Sequence, residues 1–389
     1  MSANERWLLP DGIDELLPPD SWRMERLRLR VADQFYAWGY ELVMPPLVEY
    51  LDSLLTGTGE DLDLQTYKII DQQSGRLMGV RADMTPQIAR IQSRLPSDSG
   101  ITRLCYIGPV LNTQQQALGS SREPLQIGAE LFGSGSAEAE CELIELMVEV
   151  LRTTGVEDIH IDLGHVGIFR AIARQAGMDH QQEVEFFDAL HRKSHPDIEQ
   201  LFTSCDIDPA WKSPILELTR MHGAIDDIEE KTQSVFGLSD EITQAIERVK
   251  RVAGLLNKRL SNVKLHYDLA ELHGYHYYTG IVFSAFIPNH GRVIARGGRY
   301  DDIGKAFGHA RPATGFSTDM RRLLQFSSRW KEDENHITRA PQDDDNSLTE
   351  TIQALRASGD RVVRRLPDEA LSKNDKTLTM NDSGEWRTD

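Results

Sequence analysis

Residues Leu269–Gly280 read LAELHGYHYYTG, with IVFSAFI following at Ile281–Ile287 and RGGRYD at Arg296–Asp301. The tyrosines Tyr277 and Tyr278, the histidines His273 and His276 and the pair Gly297-Gly298 gather on either side of one apolar strand. A plain sheet core uses tyrosine, but it has no need of imidazole and glycine at this density. The tyrosines alone would read as core; beside Gly274, Gly280 and RGGRYD they read as the lining of a pocket. Gly297-Gly298 fits either a tight turn or bulge or the close approach of a ligand. No third ligand stands at a convincing spacing from His273 and His276, so they read as polar lining rather than a metal site.

Working outward, Val263, Leu265, Tyr267 and Leu269 alternate with polar residues as in a half-buried strand, and Arg292–Ala295 continues the sheet after Ile281–Ile287. Upstream, Asp179–Leu260 is helical throughout, with its clearest stripe at Ile242, Ile246, Val249, Val252 and Leu256. This block reads as a helical insertion. Before it, strands are expected at Tyr40–Met44, Tyr67–Ile70, Leu77–Arg81, Leu104–Leu111, Leu125–Phe132 and Ile159–Leu163. Pro45-Pro46 places the first of these at an edge or an interface, because proline donates no ladder hydrogen bond. Helices are expected at Asp20–Trp38, Thr85–Ser93, Ser136–Thr154 and Val166–Ala176. Asn112–Glu123 is a long polar loop. Pro312–Gln325 ends as a helix on which Asp319, Arg321 and Arg322 read as a solvated face.

Hairpin-joined strands imply a mostly antiparallel sheet and an α+β class. The domains expected are a core formed by 1–168 and 262–327, an insertion at 169–261, and a small α/β region at 335–389. In that last region, a helix at Ser347–Ser358 and strands at Arg361–Arg365 and Lys376–Met380 follow the acidic spacer Asp343–Asp345.

Composition narrows the function classes. The chain has 389 residues and a net charge of −18. It has no basic stripe of the kind that displaces counterions from nucleic-acid phosphates, since RMERLRLR at Arg23–Arg30 reads as a solvated helix face. No apolar run is long enough to span a membrane, and MSANERWLLPDG is no signal peptide. Cys105, Cys141 and Cys205 lie far apart, which argues against a disulfide framework or a zinc site and for inert thiols in a cytoplasmic protein. No cofactor is called for.

The order of these pieces resembles the class II aminoacyl-tRNA synthetase core, specifically histidyl-tRNA synthetase, over about Leu9–Leu324. GYELVMPPLVEY resembles motif 1, the dimer-forming helix–strand. RLCYIGPVL with LQIGAELFG resembles motif 2, and ATGFSTDMRRLL resembles motif 3. HGYHYYTG and RGGRYD resemble the two histidine-specific signatures, and the helical block sits where that family carries its insertion. The departures matter most. Where the synthetases hold an arginine on the ATP α-phosphate and a glutamate two residues on, this chain has Asn112 and Gln114. An amide cannot make the charge-assisted, bidentate contact of a guanidinium. His273 replaces the arginine opening the first signature, and His276 its usual acidic partner. Arg321 stands in place of the motif 3 glutamate, Arg322 matches its arginine, and Asp319 replaces a glycine. The anticodon-binding domain is reduced to the tail after Phe326.

What remains is similar to the regulatory subunit family of short-form ATP phosphoribosyltransferase. That resemblance implies a non-catalytic homodimer within a hetero-octamer, one that activates the catalytic subunits and carries feedback inhibition by histidine. It also implies a histidine pocket. Asp83 and Thr85 would hold the α-ammonium, Gln126 and Glu130 would read the amino group and the imidazole, and Tyr277 and Tyr278 would supply the aromatic wall and its hydroxyl. His273 would line the pocket or meet the carboxylate. Histidine suits such groups, because a carboxylate accepts from one ring N–H while a phenol pairs with the other nitrogen. The competing readings are a divergent histidyl-tRNA synthetase or adenylating enzyme, and a free-standing histidine sensor.

Overall fold

Leu125–Phe132 alternates small and polar residues with aliphatic ones, and this strand lies inside a nine-stranded sheet. The structure is a computed structural model that describes residues 8–57, 60–95, 100–115, 120–271, 273–275, 277–288, 291–308, 310–326, 336–372 and 374–388. Two compact units divide the chain: Met1–Glu15 with Met24–Phe326, and Leu16–Arg23 with Ser327–Asp389.

In the larger unit the strands are β1 (Glu41–Leu42), β2 (Val48–Tyr50), β3 (Tyr67–Ile70), β4 (Leu77–Val80), β5 (Thr102–Pro109), β6 (Leu125–Phe132), β7 (His160–His165), β8 (His222–Ala224), β9 (Lys264–Asp268), β10 (Ile281–Phe286), β11 (Val293–Arg299) and β12 (Ala313–Asp319). The large sheet runs β1-β5-β6-β12-β11-β10-β7-β9-β8, and β2-β4-β3 form a small sheet. All pairs in the large sheet are antiparallel except β1 with β5 and β7 with β9. β1 closes one edge, where Pro45-Pro46 stops pairing. The β3–β4 hairpin turns at Ser74-Gly75, with Gly75 at φ 70°.

The helices are α1 (Asp20–Ala37), α2 (Leu51–Leu54), α3 (Glu60–Gln65), α4 (Thr85–Arg94), α5 (Ala137–Thr153), α6 (Val166–Gln175), α7 (His180–His191), α8 (His195–Ser204), α9 (Lys212–Leu218), α10 (Ile228–Lys231), α11 (Asp240–Arg259) and α12 (Met320–Phe326). α5 begins where the Ser136 hydroxyl accepts from the Ala139 N–H. Its Leu143, Ile144, Leu146, Met147, Val148, Val150 and Leu151 are fully buried between the sheet and α11. Truncating any of the larger ones to alanine would cost about 2–5 kcal/mol. Cys105 and Cys141 are buried here, and burial pushes both thiols up to about 12.

Two expectations change. The insertion is not purely helical, because β8 lies within it and pairs antiparallel with β9. Its HGA segment is too short to carry a period-2 signal. Asp319 ends strand β12 and is not on a helix, so only Arg321 and Arg322 belong to α12. In the smaller unit, β13 (Thr338–Ala340), β14 (Val362–Arg364), β15 (Lys376–Met380) and β16 (Trp386–Thr388) form a sheet in the order β14-β13-β15-β16. Helix α13 (Asn346–Ala357) packs on it through Leu348 and Ile352.

Candidate functional site

The register of the sheet decides which side chains meet. Partnered residues of neighbouring strands share a face, and residues two apart along a strand share it too. One row across the sheet is therefore Tyr106, Gly128, Ser317, Arg296, Ser284, Asp162 and His266. The next is Leu104, Glu130, Gly315, Gly298, Val282 and Gly164. Around Arg296 at the centre of these rows the residues are small, and above them lies a cavity of about 770 Å³. Asp83, Thr85, Gln126, Glu130, His273, Tyr277 and Tyr278 all line it. His276 lies outside the described residues.

Glu130 is 2% exposed on the cavity floor. Its carboxyl accepts from the Tyr106 hydroxyl at 3.0 Å and from the Tyr300 hydroxyl. Burial pushes it up to about 8, against the lowering effect of the two phenols and Thr85 and with the help of the nearby Asp83 charge. No Cβ fits at Gly315, because it would fall on the Glu130 carboxylate. Tyr277 stacks on Tyr300 at 5.0 Å between ring centres, and Tyr278 meets Tyr277 edge-on at 5.2 Å. A Cβ at Gly298 would stand 2.8 Å from the Tyr278 ring. The paired glycines lie in a regularly paired part of β11, beyond the register shift at its start, and make room for side chains, so neither turn nor bulge is needed to explain them.

At the start of α4 the Asp83 carboxylate accepts from the Thr85 N–H at 3.0 Å, the Thr85 hydroxyl at 3.2 Å and the Gln126 amide at 2.7 Å. The Gln126 carbonyl oxygen accepts from the Met84 N–H at 2.9 Å. Gln126 thus fixes Asp83, and Thr85 links it through Tyr106 to Glu130. His273 has Nδ1 3.1 Å from the Glu271 carboxylate, while its buried Nε2 has no hydrogen-bond partner among the described residues. Among the same residues the buried Tyr277 hydroxyl and the buried Asn112 Oδ1 also have none. Three arginines line the same cavity: Arg292, Arg296 and the half-buried Arg322. None forms an ion pair or side-chain hydrogen bond with a described residue. Desolvation, and then the Arg292 charge, lower Arg322 from its ordinary value.

RGGRYD divides by strand parity. Arg296, Gly298 and Tyr300 serve the cavity. Arg299 instead donates to Glu140 at 2.6 Å and to Asp301 at 3.1 Å in a buried network that also holds Arg248. Tyr106, Tyr300, Arg292 and Arg296 are absent from the sequence-derived site. The period-2 pattern running outward from Gly298 is the signal that would have found Arg296 and Tyr300. Arg322 reads in sequence as solvated face, yet it lines the cavity. Asp319 is not solvated face either: burial raises its carboxyl, which accepts from the N–H groups of Leu125 and Arg321. Arg321 does reach the surface, where it pairs with Glu123 at 3.3 Å.

Comparison with known proteins agrees with this architecture. The family described as histidyl-tRNA synthetase matches residues 12–323, and the ATP phosphoribosyltransferase subunit HisZ C-terminal domain matches residues 336–389. The chain is 50% identical to an ATP phosphoribosyltransferase regulatory subunit of Methylococcus capsulatus, over 94% of this chain and 90% of that one. It is 48% identical to that of Alkalilimnicola ehrlichii, over 100% and 98%. Among solved structures, an ATP phosphoribosyltransferase regulatory subunit/histidyl-tRNA synthetase of Bacillus halodurans superposes with a TM-score of 0.82. It is 25% identical and covers 95% of this chain and 97% of its own.

Proposed function

Because the chain belongs to the family of ATP phosphoribosyltransferase regulatory subunits, we propose that its cavity is the histidine receptor of the transferase complex. The chain is a non-catalytic subunit of ATP phosphoribosyltransferase, the enzyme of the first step of histidine biosynthesis. In the proposed pose Asp83, held by Gln126 and Thr85, takes the α-ammonium. Arg296 and Arg322 face the carboxylate, a task the sequence had offered to His273. Glu130 meets the imidazole. A protonated carboxyl donates to a bare ring nitrogen, or after proton transfer a carboxylate accepts from an imidazolium. Either way no lone charge is left buried.

The observation that carries this reading is the buried Tyr277 hydroxyl, unpartnered among the described residues, in the same cavity as Glu130. An unmade buried hydrogen bond costs about 1–3 kcal/mol, and a second ring nitrogen relieves it. Adenylation is disfavoured because Asn112 puts a neutral amide at the position where the synthetases that the sequence resembles carry their phosphate-binding arginine.

Histidine titrated against the transferase rate of the reconstituted complex tests the site. Glu130→Ala is expected to raise the inhibition constant at least about tenfold, a loss of about 1.4 kcal/mol, while activation by the subunit persists. An unchanged constant would put histidine elsewhere. ATP–pyrophosphate exchange with histidine is expected to be absent.

A further inference from the structure

The loop between β9 and β10 meets two neighbours. His273, Tyr277 and Tyr278 line the cavity, and Tyr275, 2% exposed, lines it too while also packing against the insertion. Its hydroxyl donates to the Glu183 carboxylate of α7. Its ring lies 4.9 Å from Phe187 of α7 and 5.6 Å from Phe169 of α6. The Arg170 guanidinium sits 4.7 Å over the ring and donates to the Tyr275 carbonyl. The same helix reaches two more points. Phe187 itself lines the cavity. Just past the helix end, Lys193 adopts φ 52° and places its ammonium 2.6 Å from Asp268, at the root of the loop. Gly274, at φ 63°, lets the chain turn between the two neighbours, and a Cβ there would stand 2.6 Å from the Tyr278 ring.

We infer that Phe187 is a wall of the ligand cavity and that Tyr275 is a positioning residue, latched by Glu183, for the loop that carries His273, Tyr277 and Tyr278. The inference rests on the reading of the cavity as a histidine receptor. Tyr275 touches both the cavity and α7, so the loop cannot shift for a ligand and stay fixed for α7. Occupancy of the cavity and docking of α7 are then one linked equilibrium, and each stabilises the other by the same factor. The helical insertion is thereby the part of the fold that registers whether the cavity is filled. A helix that merely covered the loop would need neither a residue in the cavity nor a hydrogen bond into the loop's centre.

Amide hydrogen exchange of the full chain, with and without histidine, tests this with Tyr275→Phe and Glu183→Gln beside the wild type. Tyr275→Phe removes one hydroxyl and keeps the ring, while Glu183→Gln keeps a neutral acceptor. Without ligand, Tyr275→Phe is expected to raise exchange of α7 and of the loop amides at 277–279 together, by severalfold, with Glu183→Gln intermediate. With histidine, wild-type α7 gains protection along with the loop. Tyr275→Phe loses the α7 response and binds histidine about three- to thirtyfold more weakly by calorimetry. If α7 and the loop exchange independently in the ligand-free variants, the latch is wrong. A wild-type chain that does not bind histidine, but whose α7 and loop still loosen together, would overturn the receptor reading and leave the latch standing.

Discussion

Glu130 sits in surroundings that disfavour its charge. Its folded value, near 8, lies above the unfolded carboxylate value because burial penalises the charge. The native state therefore holds a proton that the unfolded chain has released above pH 4.5. Stability from this group is fully present below pH 4.5 and is lost as pH rises towards 8, by up to about 1.4 kcal/mol per pH unit. Glu130→Gln removes the titration. Its melting temperature is expected to gain on the wild type steadily between pH 5 and 8, and parallel curves would refute the buried proton. Gly315 tests the same carboxyl sterically. Gly315→Ala sets a methyl on the Glu130 carboxylate and must turn it away from Tyr300. The expected cost is about 1–3 kcal/mol in chemical denaturation, with at least about tenfold weaker histidine binding by calorimetry. Glu130 was legible from its motif, but Gly315 was not. Its reason is a side chain on the neighbouring strand, and only the register brings the two together.

At the scale of elements, what the sequence announced was what periodicity carries. β6 and α5 stand where the sequence placed them, because one face of each is buried along most of its length, and β3 and β15 also match their expected bounds although little of either is buried. Of the three-residue strands, β2, β8, β13 and β16 were not expected, since so short a run carries little period, whereas β14 was expected within Arg361–Arg365. The functional loops are a third case. HGYHYYTG was visible as a motif, but the division of labour within it depends on which neighbour each side chain meets. One junction is directly testable. His165 ends β7 and caps α6, its Nδ1 accepting from the Gly167 N–H at 3.1 Å. Burial, with the nearby Arg248, Arg170 and Arg299 charges, lowers its imidazole to about 4. The native state keeps it neutral, while the unfolded chain takes up a proton below about pH 6.5. Stability is therefore lost as pH falls from 6.5 to 4, by at most about 1.4 kcal/mol per unit. His165→Asn keeps a capping acceptor, so its unfolding midpoint should fall less than that of the wild type over this window; an equal fall would mean that His165 does not titrate there.

For the whole molecule, the outer edge of the sheet carries several exposed apolar side chains. β1 is an edge strand whose other side has no strand partner among the described residues. Around it Tyr36 is 84% and Met44 78% exposed, with Leu29, Leu42 and Leu47 also exposed. Isolated apolar residues on a surface need no explanation, but here they belong to α1, to β1 and to the segment just after it, elements that meet through Gly39 and Tyr40. Exposed apolar surface of this kind, beside an unpaired strand edge, marks an association site or an aggregation hazard. The sequence pointed to the same place, since Pro45-Pro46 set the strand at an edge and GYELVMPPLVEY resembles the segment with which synthetases dimerise. We expect the chain alone to sediment as a dimer through this edge. A carboxylate introduced at an apolar interface core must be desolvated without a partner, which costs several kcal/mol. The double variant Tyr36→Glu with Met44→Glu should therefore sediment at half the wild-type mass. It should keep wild-type histidine affinity, because neither residue lines the cavity. A variant that remains dimeric would move the interface elsewhere. One that becomes monomeric and also loses histidine binding would show that the cavity needs the second copy to hold its shape.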